Sequence, residues 1–313
     1  MRVSQHRYLH YDVFTRRPLA GNQLAVFPQA AGLDPALMQR IALEMAFPET
    51  TFILPPETDD TDIRMRIFTP RRELPMAGHP TIGSTFALAS EGLIGPDRDR
   101  LVIGLGIGPT PVSLEWAGDE LTFAWMRQPL PEFGPVIDSI DADSGERGNV
   151  AAALGIDPGE VTPGLPIEVV SSGLPVLFIP LETRRAVDGV TFDLAGMRPV
   201  FARHQLDDPP VFVFSLETGH DDATAYSRMF APAFGIPEDP ATGGASGPLG
   251  AYLVRHGAVQ TEGTVQMVSL QGVTMGRPSR VHISIASSPG GGDITSVQVG
   301  GAAVLVADGT LYV

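Results

Sequence analysis

The sequence predicts an α+β protein built from two related halves. Three observations predict this. A set of motifs occurs twice in the same order, short strand-like runs outnumber helical ones, and each half holds one uncharged stretch of small residues. Glycine (35) and proline (29) are abundant in the 313 residues, which favours many turns and short strands.

Taken in order, Tyr8–Phe14 and Leu24–Phe27 read as strands around a Pro-Leu-Ala-Gly-Asn turn. Asp34 then caps a helix with Pro35 at its first position, and Leu37, Ile41 and Met45 form one apolar stripe. Thr50–Leu54 is a strand. Ile63, Met65 and Ile67 alternate with Arg64 and Arg66, the period of a half-exposed strand. Thr81–Ser90, small and uncharged, predicts a helix buried nearly all round. Strands follow at Leu101–Ile103, Pro111–Trp116 and Glu120–Met126. Pro129–Gly148, rich in Pro, Asp and Gly, reads as a linker. The second half shows strands at Ile167–Ser171, Pro175–Leu181, Val211–Ser215 and Thr224–Met229, then a small-residue helix from Gly243 to about Arg255. The expected division is an N-terminal lobe over 1–128, completed by a C-terminal strand over 302–313, and a C-terminal lobe over 129–301.

The duplication is explicit. Ala20-Gly-Asn-Gln-Leu-Ala-Val-Phe-Pro28 matches Ser172-Gly-Leu-Pro-Val-Leu-Phe-Ile-Pro180, Arg66-Ile-Phe-Thr-Pro70 matches Arg228-Met-Phe-Ala-Pro232, and Glu73-Leu-Pro-Met-Ala-Gly78 matches Glu238-Asp-Pro-Ala-Thr-Gly243. Two long repeats mean a duplicated domain, not a solenoid. Two similar lobes favour a ligand cleft between them.

Composition narrows the chemistry. There is no Cys, which excludes disulfides and thiolate catalysis, and there is no Lys, which excludes a lysine Schiff base. Proton chemistry therefore falls to carboxylates and histidines. A net charge of −15 without a basic stripe argues against nucleic acid and anionic membranes as partners. The N-terminal residues lack a signal-peptide pattern and no apolar run is long enough to span a bilayer, so a cytoplasmic location is expected. His6 and His10 would be too far apart along a strand to share a metal, so no metal site is expected. Gly104-Leu-Gly-Ile-Gly108 precedes a strand rather than a helix and fails as a dinucleotide motif. Asp59, Asp60 and Asp62 read as a solvated loop cluster, and Ser288-Pro-Gly-Gly-Gly-Asp293 as a hairpin turn.

In each half a loop of the form Glu-x-Pro-x-x-Gly leads into the small-residue helix. The helix starts Gly78-His79-Pro80-Thr81 and Thr242-Gly243-Gly244-Ala245 offer backbone N–H groups and a positive dipole end, which suits a carboxylate. His79 stands at one start, Asp239 in the loop before the other, and Glu49 in a loop after Pro48, where it can act as a general acid or base. Structural readings compete: Glu49 as a hydrogen-bonded loop carboxylate, His79 as a core histidine, Asp239 as a helix cap. Glu73 and Glu238 are expected to be structural partners within the duplicated loop.

Gly21-Asn22, Glu49-Thr-Thr-Phe52, Phe68-Thr-Pro70, Glu73-Leu-Pro-Met-Ala-Gly-His-Pro80 and Glu238-Asp-Pro-Ala-Thr-Gly243 together resemble the PhzF-like family of phenazine-biosynthesis proteins. Gln271-Gly272, Gly276-Arg-Pro-Ser279 and Val299-Gly-Gly301 fit the same pattern, so the resemblance spans nearly the whole chain. It implies the diaminopimelate-epimerase fold, two pseudo-symmetric lobes each with a curved sheet or barrel around a central helix. It also implies a cofactor-independent isomerase, with Glu49 as the proton shuttle and His79 and Asp239 lining the pocket. Substrate binding falls to Asn22, Gly78, Thr242, Gly243 and Gly244, no cofactor is expected, and a homodimer is implied. Three positions depart from the family pattern: Pro48 and Gly244 stand where serine is common, and Gln23 where proline is. The lost hydroxyls bear on the substrate more than on the chemistry. The alternatives are a lyase or a two-base racemase using Glu49 and Asp239, a non-catalytic binder of small acids, and a scaffold for protein contacts.

Overall fold

A computed structural model describes residues 4–138, 145–260, 263–288 and 293–313. Among the described residues the first half runs β1 (Gln5–Val13), β2 (Asn22–Phe27), α1 (Pro35–Met45), β3 (Glu49–Leu54), β4 (Ile63–Phe68), β5 (Glu73–Leu74), α2 (Gly78–Ser90), β6 (Arg100–Leu105), β7 (Gly108–Ala117) and β8 (Glu120–Gln128). The second runs β9 (Glu132–Asp138), α3 (Glu146–Leu154), β10 (Ile167–Ser171), β11 (Pro175–Pro180), α4 (Arg184–Gly189), α5 (Leu194–Arg203), β12 (Val211–Ser215), β13 (Ala225–Ala231), β14 (Ile236–Asp239), α6 (Gly243–Arg255), β15 (Thr264–Gln271), β16 (Ser279–Ser287), β17 (Ile294–Gly301) and β18 (Ala303–Tyr312). Two compact units emerge. The first comprises Met1–Gln128, Arg277–Ser279 and Gln298–Val313; the second comprises Pro129–Gly276 and Arg280–Val297.

In the first unit β1 pairs antiparallel with both β2 and β18. β2 runs parallel to β3 through the α1 crossover, β3 pairs antiparallel with β4, and β4 pairs antiparallel with β5 and parallel with β6. β6, β7 and β8 continue as an antiparallel meander. α2, buried from Gly78 to Leu88, packs against β1, β2, β3, β8 and β18. Gly83 allows the approach: a Cβ there would lie 2.6 Å from Leu24 Cδ2 and Val13 Cγ2.

The second unit repeats the pattern. β10 pairs antiparallel with β11, β11 runs parallel to β12 across α4 and α5, β12 pairs antiparallel with β13, and β13 pairs antiparallel with β14 and parallel with β15. α6 follows β14 as α2 follows β5, and packs on β10 and β11. Its core gathers Phe178, Phe212, Phe214, Leu249 and Tyr252.

The duplication reaches individual contacts. Arg66 grips Glu73 with two hydrogen bonds, of 2.7 and 2.6 Å, and Arg228 grips Glu238 with two, of 2.8 and 3.0 Å. Each guanidinium also lies over the aromatic ring two residues on, Phe68 at 5.2 Å and Phe230 at 4.9 Å. Thr81 and Ser246, one turn into α2 and α6, each donate a hydroxyl back to the carbonyl four residues earlier. Both loop glutamates are thus structural partners.

Some elements differ from expectation. α1 is capped by Asp34, which accepts from Ala36 N at 2.8 Å, but its buried line is Met38, Ile41 and Ala42, with Leu37 and Met45 half-buried. α2 begins three residues earlier than Thr81. The stretch Pro129–Gly148 is not a free linker. β9 pairs with β10, tolerating Gly134 and Pro135 through two register shifts, and α3 begins at Glu146. Asp62 is not merely solvated: it accepts from Val102 N and from Arg98. The expected turn at 288–293 lies mostly outside the described residues. Among the described residues, no helix is long and apolar enough to cross a membrane.

Candidate active site

Glu49 opens β3, and the chain before it sets that place. α1 ends at Ala46 in the left-handed conformation (φ 54°), and Pro48 disfavours helix at the residue before it, so the chain turns extended at Glu49. Glu49 pairs with Leu24 of β2, and Asn22, two residues earlier on that strand, shares its face. His79 is the second residue of α2. All three side chains are buried: Glu49 is 6 % exposed, His79 4 % and Asn22 0 %.

The three form a chain of contacts. Asn22 Nδ2 lies 3.2 Å from His79 Nδ1, and His79 Nε2 lies 3.0 Å from Glu49 Oε2. With the Asn22 amide donating to Nδ1, the neutral ring carries its proton on Nε2, facing the carboxylate. The Glu49 contact is at ion-pair distance but is not aligned as a hydrogen bond, and Glu49 Oε2 has no aligned donor among the described residues. A buried carboxylate oxygen without a donor needs a reason, and a proton acceptor is one. α2 carries no side-chain cap and no acidic residue in its first turn, so the positive end of its dipole at Gly78 is not neutralised locally.

The second unit holds its own polar cluster. Asp239 ends β14 at 6 % exposure, and its Oδ2 accepts the Thr242 hydroxyl at 2.6 Å. Gln271, fully buried at the end of β15, ties the loop together. Its Oε1 accepts from Thr242 N at 3.0 Å, and its Nε2 donates to Asp239 O at 2.7 Å and Thr242 Oγ1 at 3.0 Å. Gly243 and Gly244 then open α6, and a Cβ on Gly244 would meet nothing within 4 Å.

The predicted residues thus fall into two groups, Asn22, Glu49, Gly78 and His79 in the first unit and Asp239, Thr242, Gly243 and Gly244 in the second. Gln271 was legible only as part of a motif; its bracing role depends on a pairing of β13 with β15 that no local pattern reveals. The buried Thr51–Ser84 hydroxyl contact of 2.8 Å, which ties β3 to α2 behind Glu49, carried no sequence signal either. Among the described residues no cluster of His, Cys, Asp and Glu could hold a metal ion. A surface groove of about 640 Å³, lined by Tyr11, Ser90, Asp119 and Glu120 among others, includes none of the predicted site residues.

Strand register shows what the duplication kept. Phe27 pairs with Phe52 and Phe52 with Arg66; in the second unit Ile179 pairs with Val213 and Val213 with Arg228. Counting back three residues, Pro210 is the counterpart of Glu49. The helix starts align His79 with Gly244, and the first repeat aligns Asn22 with Leu174. Neither of the two contacts that link Asn22, His79 and Glu49 in the first unit is possible between these counterparts in the second.

A mixed sheet packed on a buried helix, made twice, with a buried carboxylate–imidazole pair in one copy, defines a protein of the diaminopimelate-epimerase fold class. The chain belongs to the phenazine biosynthesis-like protein family (PhzC-PhzF), whose family model matches residues 11–309. It is 36 % identical over 308 residues to trans-2,3-dihydro-3-hydroxyanthranilate isomerase of Pseudomonas aeruginosa, covering 98 % of this chain and 99 % of that protein. The crystal structure of a PhzF-family phenazine biosynthesis protein of Bacillus anthracis matches with a TM-score of 0.88 at 27 % identity, over 99 % of this chain and 100 % of that one. A hydroxyproline epimerase from Agrobacterium vitis, at a TM-score of 0.65 and 12 % identity over 99 % and 93 % of the two chains, shares the fold alone.

Proposed function

We propose that this isomerase moves a proton between two carbons of a small carboxylate-bearing substrate, with Glu49 taking the proton and returning it. The observation that carries this reading is the buried Glu49 Oε2, 3.0 Å from His79 Nε2 and without an aligned donor. In the step, Glu49 removes a proton from an activated C–H. The C–H electron pair enters the adjoining π-system as the O–H bond forms. The carboxylic acid then gives its proton to the far carbon, which restores the carboxylate. Atoms and electrons balance within one molecule, so no cofactor is required.

Asn22 orients the His79 ring, and His79, with Nε2 at 3.0 Å from the Glu49 carboxylate, stabilises charge that develops beside it. The Gly78 amide contributes to binding the substrate's polar groups, and Asp239, braced by Thr242 and Gln271, with the amides of Gly243 and Gly244, is the second unit's own candidate for binding polar groups. The presence of Pro210, Gly244 and Leu174 at the counterpart positions supports one proton carrier over a symmetric pair of bases. A homodimer is part of this reading and is checked by sedimentation equilibrium.

The name of the 36 %-identical relative supplies the first probe, trans-2,3-dihydro-3-hydroxyanthranilate. Turnover in D₂O without added cofactor should give product with solvent-derived deuterium at part of the newly formed C–H, through exchange of the Glu49 carboxylic acid between taking and returning the proton, read by mass spectrometry. Product formed without any solvent deuterium at that carbon, over many turnovers, would argue against an exchangeable carboxylate carrier.

A further inference from the structure

The Glu49–His79–Asn22 chain depends on Asn22 being held, and Asn22 follows an unusual turn. Phe14 (φ 63°) and Leu19 (φ 67°) are non-glycine residues in the left-handed region, and Gly21 (φ 68°) is a third. A Cβ on Gly21 would lie 2.3 Å from Val13 O, so only glycine fits there. Such a turn persists only when its surroundings over-determine it.

Two side chains do so. Asp12, 1 % exposed on β1, accepts from Leu19 N through Oδ2 at 2.7 Å. Its Oδ1 accepts from Arg277 Nη2 at 2.5 Å. Arg277 reaches across 256 residues of sequence to donate from Nε to Gly21 O at 2.8 Å, and from Nη2 to Ala20 O at 2.8 Å. Pro278 O accepts from Gly21 N at 3.3 Å. The Gly21 carbonyl belongs to the peptide that carries the Asn22 N–H. The guanidinium therefore fixes the plane from which Asn22 starts, and its rigid planar fork holds a carboxylate and two carbonyls in one geometry, which the rotatable donors of a lysine ammonium do not.

We propose that Arg277, oriented by Asp12, is a positioning residue of the active site, acting through Asn22 on the orientation and tautomer of His79. This rests on the proton-transfer reading for its consequence in catalysis, but its structural half is tested independently.

The test uses full-length protein with ¹⁵N-labelled histidine. Ring ¹⁵N shifts of His79, assigned by its loss in His79→Gln, report the tautomer without any substrate. Arg277→Lys is compared with wild type, with Asn22→Ala, and with the double variant. Asp12→Asn, which keeps an acceptor oxygen but drops the charge, serves as the second variant should Arg277→Lys not fold. The expected result is a shift of the His79 Nδ1 and Nε2 signals in Arg277→Lys or Asp12→Asn, and no further shift when Arg277→Lys is added to Asn22→Ala. Turnover of trans-2,3-dihydro-3-hydroxyanthranilate should fall by about a hundredfold in kcat, the effect of a small misplacement at a reacting centre, and by no more in the double variant than in Asn22→Ala. Unchanged His79 signals in a folded variant, or equal additional losses in both backgrounds, would overturn the proposal. If the signals shift while turnover does not change, Arg277 still sets the histidine and the proton-transfer reading is the part that fails.

Discussion

Pro210 stands in the second unit at the strand position that Glu49 holds in the first, and it is buried. The backbone of the repeat was kept while its ionisable group was not. Unequal consequences are therefore expected in the two units. Pro210→Ala should leave turnover within about twofold, because nothing at that position takes or gives a proton, whereas loss of the His79 imidazole in His79→Gln should lower kcat by roughly 10²–10⁴-fold. Steady-state kinetics on both variants checks this, and a tenfold or larger loss in a folded Pro210→Ala would assign the second position a share in the chemistry.

The paired arginine–glutamate contacts should differ in cost. Arg66 and Glu73 are 20 % and 37 % exposed, while Arg228 and Glu238 are 10 % and 20 % exposed. Arg228 also donates to the carbonyls of Val187, Asp188 and Val190 at 3.0, 3.1 and 2.8 Å, closing the end of α4. Arg66→Met removes a solvent-screened pair and should cost about 1 kcal/mol or less. Arg228→Met removes the guanidinium from the Glu238 carboxylate and from three carbonyls, two of them in buried contacts, and should cost roughly 3–5 kcal/mol. Urea unfolding of the two variants gives the comparison directly, and similar losses would show that the buried network adds nothing.

Helix glycines separate packing from propensity. A Cβ on Gly250 of α6 would lie 2.5 Å from Ile283 Cγ2 and 3.0 Å from Ile285 Cγ1, whereas on Gly148 of α3 it would meet nothing within 4 Å. Alanine gains roughly 1 kcal/mol over glycine inside a helix. Overpacking costs roughly 1–3 kcal/mol. Gly148→Ala should therefore raise the melting temperature and Gly250→Ala lower it. Calorimetry checks both signs.

Acid should weaken the fold through His10. Burial pushes its pKa below the ordinary value of 6.5, Arg277 pushes the same way, and Asp12, 3.8 Å from Nε2, partly opposes them. The folded state thus binds this proton less readily than the unfolded chain. The contribution is fully present above pH 6.5 and is lost as pH falls from there through the lower folded value. His10→Gln should flatten that part of the curve of unfolding free energy against pH; an unaltered curve would remove His10 from the explanation.

Much of this architecture was readable along the chain because its signals are local. Ile167–Ser171, Val211–Ser215 and Gly243–Arg255 agree with β10, β12 and α6. Asp34 and Pro35 announced α1, and the paired motifs announced the duplicated loop before any contact was known. Elements whose local signals conflict were not readable. β9 contains Gly134 and Pro135 and depends on its pairing with β10, α4 has only six residues, and α5 carries Pro199 inside it. At the site, residue types and helix starts pointed to Glu49, His79 and Asp239. The Gln271 brace and the Asp12–Arg277 clamp join residues 29 to 265 positions apart, and no period or spacing encodes them.

The most direct test of the central claim is the rate of solvent-deuterium incorporation by Glu49→Gln, a change that keeps the side chain's shape but removes its ability to carry a proton. With trans-2,3-dihydro-3-hydroxyanthranilate as the probe, and circular dichroism matching wild type, incorporation should fall by about 10³-fold or more. Incorporation within about threefold of wild type, well inside what a lost proton carrier would cost, would mean that another group moves the proton.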